Sequence, residues 1–302
     1  MDESQPTKCE VELSTTCPAP WFDERLRSAP PLPSAAKDTG SVRNGPSLAA
    51  HQVELVWQPV RDARDGEAVL YHEALVRCPD LAGLEVGPRV QLMELERRGD
   101  APAFDRAIVR RVIAELEADP LAVLAVNISA RSVDPAIWCD VFARLRRNPA
   151  VARRLVIEIT ETAPLPSLEH ALSFSSQARA LGCRVALDDF GVGHTSLYDM
   201  FAMQPAIIKI DALFVRRAGS GGTADAMFRH LVGLARSTNA LVVVEGVETP
   251  LQAELALEAG AIWQQGFYHG RPSGVRCHAS ASRGARFISR LPFRVADGSS
   301  PL

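Results

Sequence analysis

Between residues 122 and 267, six short apolar runs alternate with longer amphipathic stretches, and this alternation restricts the chain to very few folds. The runs are Ala122–Ile128, Leu155–Thr160, Arg184–Asp188, Ala206–Ile210, Leu241–Glu245 and Ile262–Phe267. Their length and near-continuous Val, Ile and Leu content suit strands buried on both faces. The stretches preceding them, Ala103–Ala118, Pro135–Arg147, Leu168–Leu181, Ser196–Met203, Ala224–Thr238 and Leu251–Ala259, read as helices, as does Pro88–Arg98. Two earlier runs, Val53–Gln58 and Val69–Val76, are joined by the short link Arg61–Glu67, which contains Asp65-Gly66. That link has no room for a crossover helix, so these two strands should be antiparallel. Eight strands, six of them fed by helices, predict a closed (β/α)8 barrel of the TIM type with its first strand antiparallel. An open doubly wound sheet is the alternative, but no glycine-rich nucleotide loop follows any strand.

Barrels of this type place their chemistry at the C-terminal ends of the strands. Read in order, those ends offer Glu73, Asn127, Glu158, the pair Asp188 and Asp189, Lys209, Glu245 and Gln265. One polar strand end is usually a cap or a solvated loop residue; a full set converging on one mouth points to a site. Bare carboxylates so crowded repel one another, and divalent cations are the simplest compensation. Oxygen donors without paired His or Cys favour hard ions such as Mg2+ or Mn2+. Two such ions about 4 Å apart need a bridging carboxylate and suit in-line attack on a phosphodiester. Asp188, nearest the strand end, is the candidate bridge. Neighbouring strand residues point to opposite faces, so Asp188 and Asp189 converge only if the chain turns there, which Gly191 and Gly193 permit. Arg77 shares a strand face with Glu73 and can take a phosphate, or pair with a carboxylate at the rim. Lys209, inside an apolar run, needs polar partners. It either orients a water or neutralises the carboxylates. His72 faces away from Glu73 and reads as structural.

A net charge of -3 and the lack of a basic stripe argue against binding a nucleic-acid duplex. The six cysteines form no C-x-x-C pair, as expected of reduced thiols in a cytoplasmic protein. No apolar run approaches the roughly 20 residues of a membrane span. Residues 1–50, rich in Pro, Ser and Thr and carrying Ala29-Pro30-Pro31-Leu32-Pro33, are expected to be a disordered tail. The barrel is then expected over 51–290, with a second disordered tail over 291–302.

Seven ordered motifs between Val53 and Pro272 resemble the EAL-domain cyclic di-GMP phosphodiesterases. They are Glu73-Ala74-Leu75-Val76-Arg77, Val126-Asn127-Ile128-Ser129, Glu158-Ile159-Thr160-Glu161, Asp188-Asp189-Phe190-Gly191-Val192-Gly193, Lys209-Ile210-Asp211, Glu245-Gly246-Val247-Glu248-Thr249 and Gln265-Gly266-Phe267, with Gln58-Pro59 matching the opening strand. The resemblance implies a barrel with one antiparallel strand, and hydrolysis of cyclic di-GMP to linear pGpG. It implies one metal on Glu73, Asn127, Glu158 and Asp188, and a second on Asp188, Asp189 and Glu245. Lys209 would contact the attacking water, and Arg77 would meet a substrate phosphate. Glu161 would brace the loop after Asp189, while Gln265 and Glu248 would support the site and Gln58 the substrate. That loop would also join two copies into a homodimer. Val192, His194, Cys78 and Ala261-Ile262 depart from the family pattern, though none of them is a metal ligand. The alternative function is a catalytically weak module that acts as a cyclic di-GMP receptor or protein-interaction regulator.

Overall fold

In the computed structural model the described residues are 53–77, 94–160, 164–192, 196–277. Both expected tails lie outside them, as does most of the expected helix Pro88–Arg98, of which 94–98 are helical. Eight strands close a barrel in the order β1 to β8: β1 Glu54–Asp62, β2 Val69–Arg77, β3 Leu124–Ser129, β4 Leu155–Thr160, β5 Arg184–Phe190, β6 Ile207–Ile210, β7 Leu241–Val244 and β8 Trp263–Gln264. β1 is antiparallel to both neighbours, β2 and β8; every other pair is parallel. The expected fold class is therefore the observed one.

The alternation of side chains across each strand sorts the apolar residues into two cores. Outward-facing residues such as Leu124, Val126, Ile157, Leu187, Ile208 and Val244 pack under the helices. Inward-facing Val60, Tyr71, Ala125, Val156, Ala186, Ile207, Val243 and Trp263 fill the barrel. The surrounding helices are α1 Ala101–Ala118, α2 Cys139–Arg147, α3 Pro149–Ala152, α4 Leu168–Leu181, α5 Leu197–Met203, α6 Ala212–Arg217, α7 Thr223–Ser237 and α8 Pro250–Glu258. Local chemistry sets their ends. Ser167 caps α4, and Gly182 ends it in the left-handed region at φ 100°. Ser196 with Asp199, and Thr249 with Gln252, close capping boxes at α5 and α8.

Several element boundaries differ from the sequence reading. β1 runs on to Asp62 through a register shift at Val60/Arg61, so Arg61 and Asp62 of the expected link are strand. β8 is reduced to two residues, because Gly266, at φ 154°, packs against the Val247 backbone, where a Cβ would meet the Val247 carbonyl oxygen at 2.1 Å. The expected helix Pro135–Arg147 begins as a 3-10 turn over Pro135–Trp138 before α2. His72 turns outward as expected, with Nε2 3.3 Å from Cys277 Sγ.

One buried carboxylate ties α1 to the end of β3. Asp105 accepts from the Ser129 amide (2.8 Å) and the Ser132 hydroxyl (2.6 Å), and Ser129 in turn donates to Glu96 (2.6 Å). Burial pushes Asp105 up to about 7, against about 3.9 in an unfolded chain. The folded state therefore holds this proton more tightly, and the group makes stability fall as pH rises from about 4 to 7. Replacing Asp105 by Asn is expected to remove that contribution. Thermal unfolding across this range in chelator, wild type against variant, checks it.

Candidate metal centre

Two positions beyond each inward apolar residue the barrel carries a polar one, and these form a single tier at the C-terminal mouth. The tier is Glu73, Asn127, Glu158, Asp188, Lys209, Glu245 and Gln265, with Gln58 from the reversed β1. The period of two along a strand delivers all eight to the same side. Lys209, fully buried, stands among them. Its Nζ lies 2.7 Å from Glu245, 2.8 Å from Glu158, 2.9 Å from Asp188 and 3.2 Å from Glu73. Around it the amides complete the tier. Asn127 Nδ2 and Gln265 Nε2 each donate to Glu73 at 2.5 Å, and Gln58 Nε2 donates to the Gly270 carbonyl at 3.1 Å.

The neighbouring Asp188 and Asp189 converge through a bulge. Leu187 pairs with Ile208 and Phe190 with Ile210, so two residues of β5 oppose the single Lys209 of β6. Asp189 takes up the extra length in the left-handed region, φ 57°, a conformation that Asp tolerates better than most residues. The turn thus lies at Asp189 itself, two residues before Gly191. Gly191, at φ 104°, then lets the chain pass against Phe214, whose ring a Cβ would meet at 2.6 Å; Gly193 and His194 lie outside the described residues.

Two groups of carboxylate oxygens result, each drawn within 4.8 Å: Glu73, Glu158 and Asp188, and Asp188, Asp189 and Glu245. Asp188 belongs to both. Asn127 Oδ1, Glu158 Oε1 and Gln265 Oε1 are buried without hydrogen-bond partners. Orphaned oxygens in a dry site are what a hard cation would satisfy, so the donor set fits divalent ions such as Mg2+ or Mn2+. The electrostatics agree. Burial pushes Glu158 up to about 8 and Asp189 up to about 7, and it raises Asp188 and Glu245 as well; like-charged neighbours add to each shift. Burial works against the charge on Lys209, yet Asp188, Glu158, Glu245 and Glu73 hold its ammonium well above the ordinary range. One lysine does not satisfy five carboxylates.

The other expected site residues are placed less centrally. Arg77 is the exposed last residue of β2, four beyond Glu73 on the same face and opposite Glu54. Glu248 lies at the surface, where it meets Arg216 at 3.0 Å, and its amide donates to Gln252. Glu161 and Cys78 lie outside the described residues. Asp211 is the contact that reading by strand ends passed over. It caps α6 and shares a hydrogen bond with Asp189, raising that carboxyl further. Its signal was an acidic residue directly after the run Ile207–Ile210.

Barrel and tier together define a class: a TIM-like barrel whose mouth is a carboxylate-rich, oxygen-donor site. The chain belongs to the EAL-domain family, since a family model described as "EAL domain" matches residues 42–272. It is 34% identical over 231 residues to an uncharacterized signaling protein of Caulobacter vibrioides, covering 76% of this chain and 28% of that protein. It is 29% identical over 269 residues to the cyclic di-GMP phosphodiesterase PdeF of Escherichia coli, covering 87% and 36%. Among solved structures it resembles one titled PaMucR phosphodiesterase, c-di-GMP complex, with TM-score 0.63, 28% identity and coverage of 74% of this chain and 92% of that one. The FimX EAL domain from Pseudomonas aeruginosa bound to c-di-GMP gives TM-score 0.63, 26% identity and coverage of 74% and 92%. The chain spans about a third of the length of the curated relatives it matches. Among the described residues, no helix is long and apolar enough to cross a membrane.

Proposed function

We propose that this chain hydrolyses cyclic di-GMP to linear pGpG at the polar tier, with two divalent cations, Mg2+ or Mn2+, as cofactors. The observation that carries the reading is the sharing of Asp188 between two carboxylate groups. Five carboxylates less one lysine leave a formal charge of minus four, which two divalent ions would cancel. Glu73, Asn127, Glu158 and Asp188 would hold one ion, and Asp188, Asp189 and Glu245 the other. When bound, the ions supply Lewis-acid polarisation of the phosphate and a nucleophile at neutral pH.

The residues of the chain do the rest. Water attacks phosphorus, the bond from phosphorus to the 3′-oxygen breaks, and that oxygen leaves with a proton, giving a 5′-phosphate and a 3′-hydroxyl. Lys209 orients the water and stabilises charge growing on the phosphoryl oxygens. Arg77, at the rim, takes a substrate phosphate in its forked donors. Gln265 and Gln58 fix Glu73 and the mouth beside the substrate, while Glu161 braces the loop after Asp189 and Glu248 supports the site. A cytoplasmic site of action goes with this substrate and with free thiols such as Cys183.

Incubation with cyclic di-GMP and Mg2+ or Mn2+ is expected to give pGpG on chromatography, and chelator should stop it. Binding without product at any metal concentration would overturn the enzyme reading in favour of the receptor. Past Asp189, Val192 and the α5 residues Leu197, Tyr198 and Phe201 are exposed apolar side chains. We assign this surface to a homodimer. A monomeric mass in light scattering at micromolar concentration would reject it.

A further inference from the structure

Directly beneath the polar tier, the phenol of Tyr71 is a polar group with no assigned task. Tyr71 is inward-facing on β2, two residues before Glu73, and only 1% exposed. Its neighbours in the inner core are Val60, Ala125, Val156, Ala186, Ile207, Val243 and Trp263, which offer no side-chain acceptor. Ala125 on β3 pairs with Val156 on β4, and Ala186 on β5 pairs with Glu158 on β4. The hydroxyl is buried without a hydrogen bond of ordinary geometry, and so is Glu158 Oε1, while Glu158 Oε2 is engaged by Lys209 at 2.8 Å. A buried donor thus lies below a carboxylate with a free oxygen. Glu158 is the acceptor side chain that the Tyr71 hydroxyl faces.

We propose that Tyr71 is a positioning residue for the metal centre, its hydroxyl donating to Glu158 and holding that carboxylate in the orientation in which it shares a cation with Glu73 and Asp188. The proposal rests on the metal-centre reading. Partners behind a ligand set its orientation and basicity, and their loss typically lowers metal affinity 10–100-fold. Tyr71 does not touch substrate, so its effect should appear in metal binding before it appears in catalysis.

The test is Tyr71→Phe in the full chain, which removes one oxygen and keeps the ring. Mn2+ binding is measured by calorimetry, and melting is followed in chelator and in Mn2+. The Mn2+ dissociation constant is expected to rise on the order of tenfold. The melting temperature in chelator should hold, while the increase brought by Mn2+ shrinks. A Mn2+ affinity within twofold of wild type overturns the proposal, whatever the melting temperature does. Tyr71→Leu, which also removes the ring, guards the interpretation. If Phe keeps wild-type affinity and Leu loses it, packing and not the hydroxyl sets the site, and the proposal fails. A wild-type chain that binds no Mn2+ is a separate result: it would remove the metal centre, and this role with it.

Discussion

Asp188→Asn is expected to give the largest loss of activity of any single change in the tier. The substitution keeps the size of the side chain and removes a charge and one anionic donor oxygen from both carboxylate groups at once. Every other carboxylate of the tier serves one group only. With the shared ligand gone, both cation sites weaken together, and Lewis-acid stabilisation worth several kcal/mol goes with them. At about 1.4 kcal/mol per factor of ten, the rate on cyclic di-GMP should fall on the order of a thousandfold or more. Calorimetry with Mn2+ should show both binding events weakened, whereas Glu245→Gln should weaken one. Two intact Mn2+ events in Asp188→Asn would show that it bridges nothing.

Lys209→Met should separate chemistry from metal holding. Met is unbranched and fills much of the same space, and every oxygen ligand stays in place. Loss of one electrostatic stabiliser at the reacting phosphate typically lowers kcat by about a hundredfold to a thousandfold. KM should move far less, because the substrate is held elsewhere. The same change removes the ammonium from between Glu73, Glu158, Asp188 and Glu245. Leaving buried charge uncompensated is strongly destabilising, so in chelator the variant should melt well below wild type, and Mn2+ should restore much of the difference. Full activity, or an activity loss that follows unfolding alone, would remove the catalytic role assigned to Lys209.

The barrel and most of the tier could be read from the sequence because both depend on counting along strands. A strand buried on both faces announces itself as an apolar run, and its polar end residue, two steps from an inward apolar one, must share that residue's face. What depends on backbone torsion was less legible. The pair Asp188-Asp189 announced a turn, but only the structure shows that Asp189 itself makes it, since Asp enters the left-handed region without any change in sequence pattern. The length of β8 was set by the approach of Gly266 to the Val247 backbone, a tertiary contact. Asp211 went unassigned because a carboxylate before a helix has an ordinary explanation as a cap, which it also fulfils. Glu248 came in through motif likeness, and in the structure it pairs with Arg216.

The ammonium at the centre of the tier is a cation that the chain itself supplies. Four carboxylates brought in by four strands close on that one ammonium. On the proposed function, divalent ions would compete with the lysine for these same oxygens. One side chain would then serve two ends, holding the carboxylates together and, under the proposed chemistry, meeting the substrate.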